Sequence, residues 1–574
     1  MKLDVPDNLL HRISPQLASL DKRDFGARLW EHDTTLWSSD PDEQGLIGRA
    51  LGWLDVVDDV RDELGNLRLF ADQARADGYT QAVLLGMGGS SLAAEVMRTT
   101  FGVAEGYLDL HVLDSTDPAA IARLERSLDL AHTLFIVSSK SGGTTETASF
   151  HAYFYSRVKE IAGPHAGRSF VAITDEGTSL AAQALEQEFR AVFVNPSDIG
   201  GRFSALSFFG LVPAALMGLD LQRLLDHAQT AAEDCGCDVP ADRNPGLIFG
   251  AALGDLSVNG RDKLTLIASP AIGGFGSWAE QLIAESTGKQ GKGILPVDAE
   301  PLGPAGVYGD DRAFVYMRMR GAADDYRDKG VATLKKAGFP VITIELEDLY
   351  EIGGLFFLWE VAIATAGHVI GIDPFDQPNV QESKDNTKRV LAAMQQGSVP
   401  APRGARGEHV TVGIDHAAAR RLFGEFFGAT GKGSYVALQA FVTPSDSAWR
   451  VLRDLRRLLL ERLHVATTAG FGPRFLHSTG QYHKGGRNNG AYVQLTGGDG
   501  VGRTGTAETG IDLPIPGRPY TFGQLKHAQA MGDLQSLVAH DRRVLSVDLG
   551  SDLAAGLDKL MKLARETIPE RPAP

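Results

Sequence analysis

Short apolar runs rich in β-branched residues alternate with helical patterns between Ala82 and Val194. The runs are AVLLG, LHVLD, TLFIV, FVAIT and AVFV, and the helical patterns begin at Leu92, at Pro118, after Thr144 and at Leu180. Alternation at this spacing is typical of a parallel sheet with helices on both faces. The pattern therefore predicts a first α/β domain, a three-layer αβα unit over residues 76–245.

A second series of candidate strands follows a polar stretch that contains proline, DCGCDVPADRNPG. Its members are KLTLIA, AFVYMRM, PVITIEL, HVIGID, YVALQAF, AYVQL and RVLSVDL. Their spacing predicts a second, larger and less regular α/β domain over residues 246–574, again with a mainly parallel sheet. Residues 1–75 show helical periodicity and are predicted to form a helical N-terminal extension.

The composition narrows the class of protein. Apolar residues make up 43% of the 574 residues and charged residues 22%, which is typical of a soluble globular protein with a sizeable core. The formal net charge of −16 disfavours binding to nucleic acid or to an anionic membrane surface. An anionic small molecule could still bind where backbone amides and a few cations form a locally positive pocket.

The compartment is predicted from what the sequence lacks. Cys235 and Cys237 are one residue apart, which is poor spacing for a disulfide and too few ligands for structural zinc. The N-terminal residues do not resemble a signal peptide, and no stretch approaches the roughly 20 consecutive apolar residues of a membrane span. A cytoplasmic protein without a membrane span is therefore expected.

Two glycine-rich segments are candidates for an anion site. Gly86–Ser91 (GMGGSS) lies between a predicted strand and a helix, where backbone amides can bind a phosphate. A dinucleotide fingerprint would need glycine at position 91, which is serine, although Asp114 ends the next strand. A glycine turn that serves only chain geometry is the other alternative.

The second segment, Ser138–Thr147 (SSKSGGTTET), also joins a strand to a helix. Its hydroxyls, its glycines and the helix N-terminus predict a phosphate cradle. It does not have the spacing of a nucleotide-binding P-loop, and neither does Gly428–Lys432. A serine- and threonine-rich helix cap without a ligand is the structural alternative.

Five segments together resemble the motifs of one enzyme family. They are Ser138–Thr147 (SSKSGGTTET), Gly200–Ser204 (GGRFS), Glu285–Lys289 (ESTGK), Phe375–Lys384 (FDQPNVQESK) and Leu476–Gln481 (LHSTGQ). The chain thereby resembles the sugar isomerase domain (SIS) family and, within it, the glucose-6-phosphate isomerases, in particular the isomerase portion of bifunctional transaldolase and glucose-6-phosphate isomerase proteins. The likeness extends from about residue 86 to residue 481.

The resemblance implies a role for each catalytic residue. Glu285 would be the base that moves a proton between C1 and C2, and Arg202 would stabilise the enediolate oxygen. Lys384 and His477 would help to open the sugar ring. A carboxylate with a raised pKa suits the first role, and a permanently charged guanidinium suits the second. Without the motifs, Glu285 with Lys289 would be interpreted as an exposed helix pair, and Arg202 as a surface or capping residue.

The order of the motifs departs from the family in one respect. In many single-function members the histidine motif lies between the glutamate and the lysine, whereas here the order is Glu285, Lys384, His477. A catalytic site depends on geometry and not on chain order, but the departure leaves His483, in the same glycine-rich loop, as a competing choice.

The resemblance also implies a substrate and its ligands. The substrate-binding residues would be Gly89, Ser90, Ser139, Lys140, Ser141, Thr144, Thr147, Gly201 and Gln377. The implied reaction is the interconversion of glucose 6-phosphate and fructose 6-phosphate in glycolysis and gluconeogenesis, without metal or organic cofactor, in a homodimer of two SIS domains per chain. Isomerisation of another phosphosugar such as mannose 6-phosphate, and a non-catalytic phosphosugar sensor, are the alternatives.

Overall fold

The computed structural model describes residues 1–398, 410–413, 417–497 and 511–572. These residues form three five-stranded sheets. The strands are β1 (Lys2–Asp4), β2 (Gln81–Gly86), β3 (Asp109–Leu113), β4 (Thr133–Ser138), β5 (Phe170–Asp175), β6 (Ala191–Asn195), β7 (Lys263–Ala268), β8 (Leu295–Val297), β9 (Arg312–Met319), β10 (Val341–Leu346), β11 (Val410–Gly413), β12 (Tyr435–Phe441), β13 (Ala466–Phe471), β14 (Gly490–Thr496) and β15 (Arg543–Asp548).

Helices connect most of these strands. They are α1 (Asp7–Lys22), α2 (Phe25–Trp30), α3 (Pro41–Ile47), α4 (Val56–Asp59), α5 (Leu64–Ala76), α6 (Leu92–Phe101), α7 (Pro118–Ser127), α8 (Thr145–Ala162), α9 (Ser179–Glu186), α10 (Phe208–Leu216), α11 (Leu221–Asp234), α12 (Pro245–Val258), α13 (Phe275–Thr287), α14 (Asp325–Lys336), α15 (Ile352–Ile370), α16 (Pro378–Gln395), α17 (Ala417–Gly428), α18 (Asp446–Leu463), α19 (Gly480–Gly485), α20 (Phe522–Ala539) and α21 (Leu553–Thr567). Short 3₁₀ helices lie between several of them.

The first sheet has the strand order β3-β2-β4-β5-β6, and every pair in it is parallel. Each residue of β4 is buried, as expected for a parallel strand with covered faces. Gly86 at the end of β2 is in register with Ser138 at the end of β4. The two glycine-rich segments therefore leave the sheet side by side, and all five strands predicted between Ala82 and Val194 are confirmed.

The remaining strands form two sheets where the sequence analysis expected one larger domain. The second sheet has the order β1-β10-β9-β7-β8, in which β1 pairs antiparallel with β10. The third sheet has the order β11-β15-β14-β12-β13 and is parallel throughout. The predicted α/β class with mainly parallel sheets is confirmed. The N-terminal extension is mainly helical, but it begins with β1, which joins the second sheet.

One predicted strand is wrong. HVIGID was expected to be extended, but its first three residues end α15, and Gly371 follows in the left-handed conformation at φ 72°. An apolar run at the end of a fully buried helix has no polar face, so its periodicity cannot be distinguished from that of a buried strand. The helical stretch Leu349–Ile370 is long and apolar enough to cross a membrane, but 89% of its most apolar window is buried within the fold.

The first and third sheets are joined where their strands end. Asp117 follows β3, and its Oδ2 accepts hydrogen bonds from Thr443 Oγ1 at 3.1 Å and from Lys526 Nζ at 2.8 Å. Thr443 follows β12, and Lys526 belongs to α20. The ring of Phe522, also on α20, stacks on Phe150 of α8 at 5.9 Å. Helix α20 thus brings the third sheet onto the carboxyl edge of the first.

Candidate active site

The segment between β4 and α8 has the chemistry of an anion cradle. Ser139 Oγ lies 3.0 Å from Thr144 Oγ1, and Thr144 precedes α8 without making a side-chain cap bond to the described residues. The hydroxyl of Thr147, in the first turn of α8, is buried and has no hydrogen-bond partner within the described part of the chain. A helix N-terminus with uncommitted hydroxyls can bind a phosphate.

The rest of this segment is shaped by a glycine and a lysine. Gly142 has φ 65°, and a Cβ there would lie 2.8 Å from Thr178 Cβ, so the turn requires glycine. Lys140 Nζ binds Asp175 Oδ2 at 2.5 Å and the Ser197 carbonyl at 2.7 Å. Ser141 accepts a long hydrogen bond from the Gly143 amide at 3.4 Å. Lys140 is therefore held at the side of the cradle by a carboxylate.

The first glycine-rich segment brings three loops together. A Cβ on Gly89 would lie 1.9 Å from the Gly201 carbonyl oxygen, so only glycine lets these two backbones meet. Gly88 has φ 54°, and a Cβ there would lie 2.9 Å from the His477 carbonyl oxygen. Ser138 Oγ donates to the Ser90 carbonyl at 2.8 Å, which ties this loop to the cradle.

Glu285 and Arg202 form a buried pair beside these loops. Arg202 Nη1 lies 3.5 Å from Glu285 Oε2, and the two residues are only 3% and 4% exposed. Arg202 also donates to Ser286 Oγ at 2.7 Å and to the carbonyls of Pro374 and Asp376 at 2.6 and 3.1 Å. Burial raises the pKa of Glu285, and Arg202 offsets part of that effect. The pair supplies a basic carboxylate next to a fixed positive charge.

Lys289 anchors the loop that precedes α16. It is 2% exposed, and its Nζ donates to the carbonyls of Asp373 and Asp376, each at 2.7 Å. Burial lowers the pKa of Lys289 to about 8, although the neighbouring Asp376 opposes that effect. Glu285 and Lys289 are thus both buried and are not an exposed helix pair.

His477 is held by a carboxylate of the cradle helix. His477 Nε2 lies 3.0 Å from Oε1 of Glu146, on the first turn of α8. Burial alone would raise the pKa of Glu146, but His477 and Lys384 bring the pKa below its ordinary value. The carbonyl oxygen of His477 accepts from Gln281 Nε2 at 2.8 Å, and Gln281 lies one turn before Glu285 on α13. His477 is therefore fixed between α8 and α13.

His483, the competing choice, lies elsewhere. It is 2% exposed and packs against the rings of Tyr435 and Tyr492, and its Nδ1 is 3.2 Å from Gln439 Nε2. Burial holds the pKa of His483 well below its ordinary value. A neutral imidazole packed among aromatic rings fits a place in the core.

Lys384 and Gln377 approach the site from α16. Lys384 is exposed and lies near enough to Glu146 to lower its pKa. Gln377 immediately precedes α16 and is exposed. It follows Asp376, whose carbonyl oxygen accepts from both Arg202 and Lys289. The structure thus brings the residues predicted from all five motifs to one region.

Sequence reasoning assigned no role to three polar residues in this region. Glu146 lies within the SSKSGGTTET segment, and Gln281 lies four residues before Glu285, so helical spacing could have indicated Gln281. Gln529 donates from Nε2 to Glu146 Oε1 at 2.7 Å, and no motif marked it. Together with the cradle, these groups suit proton transfer on a bound anion.

Comparisons with known proteins agree with this chemistry. The family model for phosphoglucose isomerase matches residues 52–291. A glucose-6-phosphate isomerase of Pediococcus pentosaceus is 28% identical over 404 residues, which are 61% of this chain and 89% of that protein. A probable glucose-6-phosphate isomerase of Haloarcula marismortui is 30% identical over 345 residues, 54% of this chain and 77% of that protein. This chain also resembles the crystal structure of a hypothetical protein from Thermus thermophilus, with 26% sequence identity and a TM-score of 0.58. The match covers 68% of this chain and 100% of that protein.

Proposed function

Since this chain belongs to the phosphoglucose isomerase family, we propose that Glu285 and Arg202 are the centre of a glucose-6-phosphate isomerase site. The enzyme interconverts glucose 6-phosphate and fructose 6-phosphate, and the relatives that it resembles are named glucose-6-phosphate isomerases. The observation that carries the residue assignment is the buried contact of Arg202 with Glu285 at 3.5 Å. It provides a base and a compensating charge in one place.

In the proposed mechanism the cradle of Ser139, Thr144 and Thr147 holds the phosphate. His477, oriented by Glu146, and Lys384 assist opening of the ring by moving a proton between the ring oxygen and the C1 hydroxyl. Glu285 then removes the C2 proton of the open aldose. The negative charge that develops on the enediolate oxygen is stabilised by the guanidinium of Arg202. Return of the proton to C1, together with transfer of the hydroxyl proton from O2 to O1, gives the ketose, and no redox partner is needed because the hydrogens only change position.

A coupled assay that supplies fructose 6-phosphate and detects glucose 6-phosphate tests this function directly. Glucose 6-phosphate should form at a rate proportional to the enzyme concentration. Mannose 6-phosphate offered in parallel distinguishes a different epimer preference. Binding of fructose 6-phosphate without turnover would contradict the enzyme assignment and favour a phosphosugar sensor.

Replacing Thr144 and Thr147 together by alanine should raise KM for the phosphosugar about tenfold or more. A charge-assisted hydrogen bond is worth roughly 1.5–3 kcal/mol, and the variant removes two hydroxyls from the cradle. Steady-state kinetics on glucose 6-phosphate measure the change. Ser149→Ala is the matched control, because its hydroxyl bonds the Thr145 carbonyl within α8.

Free glucose should be a very poor substrate of the wild-type enzyme, since it has no phosphate for the cradle to bind. Equal activity on glucose and on glucose 6-phosphate would exclude residues 139–147 as the phosphate site. If Ser149→Ala raised KM as much as the double threonine variant, the effect would be due to destabilisation of α8. The two threonine hydroxyls would then not be the phosphate ligands.

Three wider expectations stay proposals. We propose a cytoplasmic enzyme that acts as a homodimer and uses no cofactor. We also propose, on the five motifs in the sequence, a likeness to the isomerase portion of bifunctional transaldolase and glucose-6-phosphate isomerase proteins.

A further inference from the structure

One face of α20 lies along the carboxyl edge of the first sheet. Phe522, Lys526, Gln529 and Asp533 follow each other at intervals of four, three and four residues, and all four are buried. This spacing places them on one side of a helix. Phe522 packs on Phe150, and Lys526 binds Asp117. The neutral amide of Gln529 therefore enters the site between fixed neighbours.

Gln529 makes two hydrogen bonds there, and they set the orientation of its amide. Its Nε2 donates to Glu146 Oε1 at 2.7 Å, and its Oε1 accepts from Thr116 Oγ1 at 2.7 Å. Gln529 is 3% exposed, Thr116 0% and Glu146 6%. An ionised carboxylate only accepts hydrogen bonds, so the NH₂ group must face Glu146 and the hydroxyl must donate to the amide oxygen.

The contact matters because Glu146 Oε1 is the same atom that faces His477. His477 Nε2 lies 3.0 Å from that oxygen, so two donors share it. Gln529 fixes the oxygen in space and favours the ionised carboxylate, which accepts a hydrogen bond from Nε2–H. With Nε2–H held by Glu146, the other nitrogen, Nδ1, is left to take a proton from the substrate hydroxyl.

We propose that Gln529 is a positioning residue, which sets the orientation and tautomer of His477 through Glu146. This inference rests on the proposed isomerase function. The inference gives α20, which packs between the first and third sheets, a part in the proposed chemistry. Gln529 lies well beyond the segment 52–291 that matches the family model.

The test compares kcat and KM for glucose 6-phosphate in two backgrounds. Gln529→Leu keeps the bulk of the side chain and removes both hydrogen bonds. It should lower kcat about tenfold or more and leave KM within about twofold, since a lost charge-assisted bond acts here on ring opening and not on phosphate binding. In a Glu146→Gln background, where the carboxylate is already gone, the same substitution should change kcat by less than about twofold.

Two further variants separate positioning from general stability. Gln524→Ala removes a glutamine whose side chain accepts from the Thr521 amide in the capping box of the same helix, and it should lower the melting temperature while kcat stays at the wild-type value. Thr116→Val removes only the partner of the Gln529 oxygen. Thr116→Val should lower kcat less than Gln529→Leu does. If the leucine variant does not fold, the kcat of the valine variant alone still tests the inference.

The outcomes are distinct. A wild-type enzyme without isomerase activity would overturn the proposed function, and this inference with it. An active wild type with full kcat in folded Gln529→Leu, or with equal losses in both backgrounds, would overturn the positioning role alone. If only the valine variant folds, its full kcat would do the same.

Discussion

Glu285→Gln should fold and bind phosphosugar while losing about 10²- to 10⁴-fold in kcat, the usual contribution of general-base catalysis. Glutamine keeps the shape of the side chain and its contact with Arg202 but cannot accept the proton from carbon. Because burial raises the pKa of Glu285, the wild-type activity should fall on the acidic side at a pH above the ordinary glutamate range. Steady-state kinetics at several pH values measure both effects.

Glu280→Gln is the matched control on the same helix. Burial raises the pKa of Glu280 to about 8, so its carboxyl is mostly protonated at neutral pH and an amide replaces it closely. Its contact is with Ser478 Oγ at 3.3 Å. The control should retain kcat within a fewfold. Activity of Glu285→Gln within a fewfold of wild type would remove Glu285 from the mechanism.

An isotope experiment examines the same base without a mutation. Conversion of fructose 6-phosphate in deuterated water should place deuterium at C2 of the glucose 6-phosphate formed, because a carboxylate that holds the proton between C1 and C2 exchanges it with solvent at least partly. Mass spectrometry or proton NMR detects the label. Complete absence of deuterium at C2 under all conditions would favour a direct hydride shift.

His477→Ala should lose about 10²-fold or more in turnover of the ring-closed sugar. The imidazole and its partner Glu146 are proposed to act in ring opening, whereas Glu285 acts on the open chain. The variant should therefore still exchange the C1 protons of open-chain fructose 6-phosphate with deuterated water. Proton NMR follows this exchange beside the coupled assay.

His483→Ala is the comparison for this second prediction. His483 packs among aromatic rings, so its removal leaves a cavity and should lower the melting temperature. Turnover per folded molecule should change much less than in the His477 variant. The reverse ranking would move ring opening to His483 and contradict the assignment of the LHSTGQ motif.

The sequence was most informative where a residue is constrained by its neighbours in the chain. The strands of the first sheet were predicted because each is short and apolar and is bounded by a glycine-rich turn or a helix cap. The two glycine-rich segments were predicted for the same reason, and Gly89 and Gly142 indeed stand where a Cβ would collide with another segment.

Pairings between distant segments could not be predicted. The order of the strands KLTLIA to RVLSVDL along the chain does not indicate that they divide between two sheets. Lys289 looks like half of an exposed helix pair until the loop carrying Asp376 is seen to cover it. No local sequence pattern marks Gln529, because the hydrogen bond that places it in the site is with Glu146, which is 383 residues away.

The distance along the chain between Glu146 and His477 also affects how the enzyme is made. Their contact spans 331 residues, and ribosomes add roughly 5–20 residues per second, so the imidazole is synthesised roughly 15 to 65 s after the carboxylate. During that interval the segment proposed to hold the phosphate has already been synthesised, whereas the imidazole proposed to act with Lys384 in ring opening has not. Under the proposed roles, the residues for phosphate binding are therefore synthesised before the imidazole for ring opening.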